Sequence, residues 1–408
     1  MKSVSTMPLL STFLKILSPK ASFAFLLTSR GTALEQGQVV ELLKRLREAD
    51  PSYSRGEVLG SMTVDPPGYL LEAFKVFANT NLNDPKLFGA AHFLEVESVE
   101  WLSRLFYGEG HGFLTYGGTE SNITALYILR ELTGGEVVIA PKSVHFSIKK
   151  ACKILRLHLI EVGLGRDYRP DMGAMCELIR KYRSRLAGVV LTAGTTELGV
   201  VEPVDELVKV CGDVDYAIHV DAAYGGLLAQ ALRGGGLKLP IFDFRVDKVC
   251  TVSVDLHKLV APIPCGAILL RSRRLEELVT FDAPYMPSGK QRTLLGTRSG
   301  GVAAVAWAIV KALGVEGLRS LAQELRARAL YLSRRLGEVG VEVIREPELP
   351  LVAFKVPDRD KVMEFLWSRK LYVYPLSIPG ALRVVVGPHV TYEAIERLVN
   401  TLEEILKP

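Results

Sequence analysis

The sequence predicts an α/β protein with one large, mostly parallel sheet, helices on both of its faces and a small α+β domain at the C-terminus. Two observations favour this fold class. Short apolar runs alternate with segments of helical spacing through the middle of the chain, which is typical of a buried parallel sheet. After residue 312 the order of the predicted elements changes, which indicates a second, separate unit.

Length and composition are those of an ordinary globular protein. The 408 residues are long for one hydrophobic core and favour a large domain with a smaller one. Hydrophobic residues make up 48% and charged residues 23% of the chain. The net charge of +5 is small and its basic residues are scattered among acidic ones, so we expect no nucleic-acid partner.

The five cysteines form no CxxC pair, which argues against a zinc ribbon or a thiol–disulfide motif and favours a reducing, cytoplasmic location. We therefore predict no metal site. Only five Asn and five Gln occur, a composition that points to a thermophile. The apolar segment Leu9–Leu27 is interrupted by Lys15, Pro19 and Lys20, so it is too short to span a membrane. We expect an arm that packs on the body or on a partner subunit, and no membrane partner.

Three units are predicted along the chain. Residues 1–74 form an N-terminal arm and helix, 75–312 the large domain and 313–408 the small domain. Helical spacing over Gln36–Ala49 predicts an amphipathic helix. The polar segment 79–85 lies between two further helical patterns and is either a substrate-facing loop or a solvated connector.

Six apolar runs in the middle of the chain have the length of buried strands. They are Glu136–Ala140, Leu157–Val162, Gly188–Leu191, Ala217–Val220, Val249–Val254 and Ala267–Leu270. In parallel sheets, ligands bind beyond the carboxyl ends of the strands. His145, Thr192, Asp221 and Lys258 each follow one of these runs, so we expect them at one edge of the sheet.

Beyond the sheet, an apolar helix over Val302–Leu313 has the length to connect two domains. The small domain is then predicted from strands at Val341–Ile344, Leu351–Val356 and Leu382–Val386. A final helix is predicted over Thr391–Leu406.

The stretch Thr251–Cys265 contains the residue with the clearest chemistry. Its alternating run stops at Asp255, and His257 and Lys258 follow at once. Burial there would disfavour the charged form of Lys258 and leave an amine that can act as a nucleophile near neutral pH. A Schiff base with pyridoxal phosphate (PLP) uses such an amine. The segment alone is also compatible with a strand-end lysine whose head reaches solvent.

Three further motifs carry candidate ligands. Thr115–Asn122 opens a helix with two glycines and a Thr, which predicts an anion site or a plain helix cap. It matches neither a P-loop nor a dinucleotide fingerprint. His145 either stacks on an aromatic cofactor or is structural. Asp221 either pairs with a pyridine nitrogen or caps a helix.

In chain order, the segments GGTESN, VHFS, TAGTTELG, HVDAAYGG and VDLHK resemble the PLP-dependent group II decarboxylases of fold type I. The archaeal L-tyrosine/L-aspartate decarboxylases are the most similar branch. The resemblance runs from about Glu35 to the end of the chain and includes Leu294–Gly300, Leu382–His389 and Asn79–Pro85. At Asn83 the family pattern has Gly. The resemblance implies a PLP-dependent transferase fold of type I with PLP as cofactor.

The resemblance also implies roles around the ring of the cofactor. Lys258 forms the Schiff base, and Asp221 pairs with the pyridine nitrogen. His145 stacks on one face of the ring, Ala223 covers the other, and Thr192 lies beside it.

Around the phosphate and the substrate, the resemblance implies the following contacts. The phosphate is held by Gly118 and Thr119, with His257 near it, and Thr297 and Ser299 reach the phosphate in a neighbouring subunit of a homodimer with shared sites. Arg383 and Asn81 bind substrate, and the segment 285–293 matches a mobile loop that covers the site in the family. This assigns one set of residues to the cofactor, another to the substrate and a third to the partner subunit.

The expected activity is α-decarboxylation of an L-amino acid. L-aspartate giving β-alanine for coenzyme A synthesis is the first choice and L-tyrosine giving tyramine the second, and the motifs do not separate these substrates or glutamate. One alternative is a PLP-dependent carbon–carbon lyase of the sphingosine-phosphate type, which would need additional basic residues near the site. The other is a non-catalytic module on the same fold.

Overall fold

The architecture comes from a computed structural model that describes residues 33–261 and 263–406. These residues form a seven-stranded sheet, a four-stranded sheet and a two-stranded hairpin. Most of the predicted N-terminal arm, residues 1–32, lies outside the described residues.

The seven-stranded sheet is the core of the large domain. Its strands are β1 (His111–Thr115), β2 (Val137–Pro141), β3 (His158–Val162), β4 (Leu186–Thr192), β5 (Ile218–Asp221), β6 (Val249–Asp255) and β7 (Gly266–Leu270). Their order is β1-β7-β6-β5-β4-β2-β3. All strands are parallel except β7, which pairs antiparallel with both β1 and β6. The predicted α/β fold is therefore confirmed, while β1 had no sequence prediction.

Helices cover both faces of this sheet. In chain order, the helices up to residue 338 are α1 (Gln36–Glu48), none of whose residues is buried, α2 (Gly68–Val76), α3 (Gly89–Leu105), α4 (Gly118–Thr133), α5 (Phe146–Leu155), α6 (Met172–Tyr182), α7 (Val204–Cys211), α8 (Gly226–Gly234), α9 (Arg273–Glu277) and the long α10 (Gly300–Glu338). Alternate strand residues enter different cores, since Ile139 packs in the larger cluster and Val138 and Ala140 in a second one. Both faces are apolar for this reason, and polar groups collect at the edge of the sheet.

The small domain has its own sheet and core. Its elements are β10 (Glu342–Val343), β11 (Leu351–Lys355), α11 (Arg359–Ser368), β12 (Tyr374–Pro375), β13 (Ala381–Val385) and α12 (Tyr392–Leu406), and the hairpin of the large domain is β8 (Thr280–Asp282) with β9 (Lys290–Arg292). On β13, Leu382 and Val384 pack in the small-domain core. Arg383 lies between them and points the other way, towards the large domain.

The long helix α10 crosses the predicted boundary at residues 312 and 313. Gly314, with φ 56° and ψ −167°, interrupts it near the middle. By length and composition α10 could cross a membrane, but half of its most apolar window is buried inside the protein, as expected of a core helix. The boundary stays a prediction, because one helix belongs to both units. Leu59, from the predicted N-terminal unit, packs in the small-domain core and accepts a backbone hydrogen bond from Val385.

Helix α1 forms where the sequence predicts it, but its apolar face has no cover within the described chain. None of its residues is buried, and Val39, Val40 and Leu43 are exposed by 41–59%. Helices α2 and α3 also carry exposed apolar side chains, at Leu71 and Phe93.

A disulfide joins Cys176 on α6 to Cys211 on α7, with 5.4 Å between the Cα atoms. The prediction of a reducing location rested on the spacing of the cysteines and stays a prediction. Disulfides occur in oxidising compartments and also in intracellular proteins of hyperthermophiles.

Candidate active site

A cavity of about 290 Å³ opens at the carboxyl ends of the parallel strands. Nine of the predicted site residues line it: Gly118, Thr119, His145, Thr192, Asp221, Ala223, His257, Lys258 and Arg383. They come from β1, β2, β4, β5, β6 and β13 or the turns that follow them. The structure thus brings these residues together at one edge of the sheet, as the strand-end rule predicts, and their roles stay predictions.

The turn from β1 into α4 depends on two glycines. Gly117 has φ 121°, which side-chain-bearing residues rarely adopt. A Cβ on Gly118 would lie 2.7 Å from the Cβ of Ala223 and 3.0 Å from Oδ2 of Asp255. The first backbone bond of α4 runs from Ser121 N–H to Gly117 O, so the amides of Gly118, Thr119 and Glu120 have no backbone acceptor and can bind an anion.

Lys258 has an acidic partner that sequence reasoning missed. Its Nζ lies 3.2 Å from Oδ2 of Asp255, and Nε2 of His257 lies 3.7 Å from the same oxygen. The Asp255 side chain is 1% exposed, and neither oxygen has a hydrogen-bond partner within the described chain. Asp255 thus places a buried carboxylate beside the amine of Lys258.

Three donors fix the carboxylate of Asp221. Its Oδ2 accepts from Nδ2 of Asn122 at 2.7 Å. Its Oδ1 accepts from Oγ of Ser253 and from the backbone N–H of Ala223, both at 3.2 Å. A buried carboxylate held in this way can pair with a cationic ring nitrogen without reorganising.

His145 caps the start of α5 and forms one wall of the cavity. Its Nδ1 lies 2.8 Å from Oγ of Ser147 and accepts the backbone N–H of Ser147 at 3.3 Å. Burial lowers the pKa of His145, and the charge of Asp221 opposes that shift. The ring is therefore neutral near pH 7.

Behind Asp221, His219 lies fully buried on the same face of β5. Its Nε2 is 2.9 Å from Oδ1 of Asn122, and its Nδ1 is 2.9 Å from Oγ1 of Thr251. Burial lowers the pKa of His219 to about 4. His219 is thus a neutral member of a polar network under the cavity.

Glu202 is a second buried acid that sequence reasoning missed. Its carboxyl contacts Oγ of Ser143 at 2.5 Å and accepts the N–H of Thr192 at 2.7 Å. Burial raises the pKa of Glu202 to about 7. It ties the strand end at Thr192 to the turn that carries His145.

Arg383 reaches the cavity from the small domain. It is 9% exposed, and its Nη1 donates to the backbone oxygen of Thr196. Its Nε is buried without a partner, and no carboxylate lies within ion-pair distance among the described residues. Burial lowers the pKa of Arg383. Because the guanidinium has no acidic partner among the described residues, an anion bound in the cavity would compensate its charge.

Three predicted residues and the loop lie outside this cavity of their own chain. Thr297 is exposed, and the side chain of Ser299 caps α10. Asn81 pairs with Ser299 in an isolated bridge and accepts from the backbone of Asn83. Tyr285 is 86% exposed at the tip of the β8–β9 hairpin. Their roles towards a partner subunit or substrate stay predictions.

Some of the missed residues carried a signal. His219 stands two residues before Asp221, so a strand places both side chains on one face. Asp255 and Asn122 occur in the motifs quoted above, but only contacts with distant residues reveal what they do. Tyr116 and Tyr224 also line the cavity without a prediction.

These residues fit PLP by their chemistry. Free amides and His257 provide an anion site at one end of the cavity, Asp221 provides a carboxylate, and Lys258 provides an amine. Asp255 and Thr192 contribute buried oxygens without hydrogen-bond partners in the described chain. Within residues 33–261 and 263–406, no cluster of three His, Cys, Asp or Glu side chains could hold a metal ion.

Comparison with known families gives one match over most of the chain. The family described as Pyridoxal-dependent decarboxylase conserved domain matches residues 78–357. A probable L-tyrosine/L-aspartate decarboxylase of Methanothermobacter thermautotrophicus is 39% identical over 364 residues, or 87% of this chain and 98% of that protein. An L-aspartate/L-glutamate decarboxylase of Pyrococcus horikoshii is 36% identical over 384 residues, or 91% of this chain and 98% of that protein.

Solved structures show the same fold. A sphingosine-1-phosphate lyase of Burkholderia pseudomallei superposes with a TM-score of 0.82 at 23% identity, covering 92% of this chain and 91% of that one. At this identity the likeness concerns the fold alone. It agrees with the predicted fold type I.

Proposed function

Because the chain belongs to the pyridoxal-dependent decarboxylase family and is a PLP-dependent amino-acid decarboxylase, we propose that its substrate is a dicarboxylic L-amino acid. L-aspartate is the first choice, giving β-alanine as product and so a precursor for coenzyme A synthesis. The observation that carries this proposal is the buried guanidinium of Arg383, which lines the cavity without an acidic partner among the described residues.

The charges around the cavity support a second carboxylate on the substrate. Lys258 pairs with Asp255, and Asp221 is held by its own donors. Arg383 is the cation left over, and desolvation makes such an unpaired charge costly. A carboxylate from the substrate would compensate it.

Arg383 is better suited to the side-chain carboxylate than to the departing one. Strong pairing with the α-carboxylate would stabilise the ground state and oppose the loss of CO₂. A grip on the side-chain carboxylate instead orients the substrate without resisting the reaction. Aspartate and glutamate have such a group and tyrosine does not.

When bound, PLP supplies an electron sink for the charge left after decarboxylation. Lys258 supplies the amine that holds the cofactor covalently, and Asp221 holds a proton at its ring nitrogen. His145 and Ala223 bound a flat slot, and the free amides after Gly117 take the phosphate. The residues of the chain therefore bind the cofactor, orient the substrate and hold the charges around them in place.

Tyrosine is the second candidate, and a side cavity favours it. This second cavity, about 460 Å³ in volume, meets the first at His145 and Thr196. Its lining includes Phe146, Tyr168 and Ile378, which offer apolar contact to a phenol ring. An aromatic substrate would use this space and not depend on Arg383.

The test is a substrate panel with the holoenzyme. Aspartate, glutamate and tyrosine are incubated separately, and CO₂ and the amine are measured. For Arg383→Met we expect kcat/KM for aspartate to fall on the order of 100-fold, as for loss of one partner of a buried charge pair. Tyrosine turnover, if any, should be unaffected.

Arg359→Met is the matched control, because Arg359 is another small-domain arginine that donates to a backbone oxygen, that of Leu376, but it lies outside the cavity. Equal losses for aspartate in the two variants would contradict the assignment of Arg383. Turnover of tyrosine without aspartate would replace the first candidate by the second.

A carbon–carbon lyase of the sphingosine-phosphate type is not supported by the site. It would need basic side chains for a substrate phosphate, and the cations of the described cavity lining are Lys258 and Arg383, besides two histidines. The family match also favours decarboxylation.

We further propose a homodimer with shared sites. The exposed apolar residues of α1, α2 and α3 support it, as does the position of Thr297 and Ser299 outside the cavity of their own chain. Sedimentation equilibrium should give twice the chain mass of 44.8 kDa. A monomer with full activity would rule out the shared site.

A further inference from the structure

The buried network under the cavity has one feature that the proposed function does not use. Asn122 is 1% exposed, and its amide contacts two residues of the site at once. Nδ2 lies 2.7 Å from Oδ2 of Asp221 and 2.8 Å from Oγ of Ser147. Oδ1 lies 2.9 Å from Nε2 of His219.

The contact with Asp221 fixes which way the amide of Asn122 faces. If the amide were flipped, its oxygen would lie 2.7 Å from a carboxylate oxygen, and two acceptors repel at that distance. The nitrogen therefore faces Asp221. Its two hydrogens go to Asp221 and Ser147, and its oxygen must accept from Nε2–H of His219.

This orientation fixes the direction of every other bond in the network. A neutral imidazole has one N–H, which is on Nε2, so Nδ1 of His219 accepts from the hydroxyl of Thr251, 2.9 Å away. The backbone oxygen of Thr251, 3.3 Å from the same Nδ1, then receives no hydrogen from the ring. The hydroxyl of Ser147 accepts from Asn122 and is free to donate to Nδ1 of His145, 2.8 Å away. The backbone N–H of Ser147 points to the same nitrogen.

We propose that Asn122 and His219 are positioning residues that hold His145 in the tautomer with its proton on Nε2. The donors run in one direction, from Thr251 through His219, Asn122 and Ser147 to His145. Nε2–H of His145 is then the last donor in this series of hydrogen bonds, and it has no protein partner among the described residues. It lies in the wall of the cavity as a hydrogen-bond donor.

One amide thus serves two residues of the site. It donates to Asp221 and, through Ser147, sets the proton of His145. Burial lowers the pKa of both histidines, which keeps each ring in the neutral form that the one-way order requires. The inference rests on the proposed function only for the catalytic roles of His145 and Asp221, and the direction of the hydrogen bonds does not depend on it.

The test is a direct measurement of the tautomers. The holoenzyme is labelled with ¹⁵N-histidine, and long-range ¹H–¹⁵N spectra distinguish Nδ1–H from Nε2–H. Seven histidines keep the spectrum sparse, and the spectra of His145→Gln and His219→Gln assign the two signals. We expect both rings as Nε2–H tautomers near pH 7. An Nδ1–H tautomer or a doubly protonated ring at either position would overturn the proposal without any variant.

Variants then test Asn122 itself. In Asn122→Ala, we expect His145 to exchange between tautomers and kcat to fall on the order of 100-fold through lost alignment. Thr124→Val is the matched control, since this threonine lies on the same helix and its buried hydroxyl has no partner in the described chain. An unchanged tautomer in Asn122→Ala would overturn the proposal.

The pair His219→Leu and His219→Gln separates a positioning role from packing. Gln keeps an N–H for Oδ1 of Asn122, while Leu removes it, so His145 should keep its tautomer only in the Gln variant. If His145 lost its Nε2–H tautomer equally in both variants, the positioning role of His219 would be overturned. Because the spectra need no substrate, failure of the substrate proposal would leave this measurement intact.

Discussion

The carboxyl edge of the large sheet and the core of the small domain bury different kinds of side chain. The edge buries charged and polar groups, among them Thr192, Glu202, His219, Asp221 and Asp255. Among described residues beyond 313, the buried polar or charged side chain is Arg383, which points out of that core towards the edge. The small domain is thus built for stability, and the edge gives up apolar packing for fixed charges. The two regions should respond to substitution in different ways.

The largest expected effect is at the edge. Lys258→Ala should reduce kcat by about 1,000-fold, because it removes the amine that we propose holds the cofactor covalently. Borohydride reduction followed by mass spectrometry should find cofactor on Lys258 in the native chain and on no residue of the variant.

The control is Lys248→Met, at the opposite end of β6, where Nζ donates to the backbone of Val214. Activity and cofactor attachment should survive this change. A Lys258→Ala enzyme with more than a tenth of native activity would break the distinction between the two regions.

In the small domain, Phe354→Ala should lower the free energy of unfolding by about 4 kcal/mol, since a fully buried aromatic side chain leaves a cavity. Urea titration measures it. Well below the transition, kcat should stay near native, because Phe354 does not line the active-site cavity. Loss of activity without loss of stability would contradict the comparison. Phe354→Leu should show a smaller loss of stability.

Glu202→Gln tests the cost of a buried acid at the edge. The folded pKa of about 7 exceeds the ordinary 4.5, so between these values the folded chain keeps a proton that the unfolded chain loses. Stability is therefore full below pH 4.5, falls as pH rises towards 7, and is flat above. The loss is on the order of 3 kcal/mol.

The Gln variant mimics the protonated acid, donating to Ser143 and accepting from Thr192. Urea titrations at pH 5 and pH 8 should show a smaller difference for the variant than for the native chain. The same pH dependence in both would show that Glu202 is not the titrating group.

The smallest expected effect lies where the two regions meet. The hydroxyl of Tyr224 donates to the backbone oxygen of Pro350 at 2.9 Å. Tyr224→Phe removes this hydrogen bond and leaves that oxygen accepting only from the backbone N–H of Val386, so it should cost about 1 kcal/mol of unfolding free energy. A shift of several kcal/mol would mean that the hydroxyl, and not apolar packing, holds the domains together.

The sequence predicted the strands around the site because their apolar runs are long and uninterrupted. β1 was missed because His111–Thr115 is short and contains a glycine. The antiparallel direction of β7 was not predictable, since local periodicity is the same in either direction. Helix α1 was predicted correctly, but the sequence did not predict that its apolar face would lie uncovered within the described chain.

The residues of the site also divide into those that the local sequence predicts and those that only contacts with distant residues reveal. Lys258, Asp221 and His145 could be predicted because each follows a strand in a recognisable motif. Asn122 and Asp255 lie in those motifs too, but their importance depends on atoms far away in sequence. The disulfide also joins helices that no spacing rule connects.

The place of β7 between β1 and β6 has a consequence for synthesis on the ribosome. Within the described sheet, β1 pairs with β7 alone, and Thr115 meets Gly266 in that ladder. The nascent chain therefore makes β1 long before its neighbour exists. The glycine turn after β1 lacks this strand pairing until β7 emerges, so we expect the holoenzyme to form only after most of the chain has been translated.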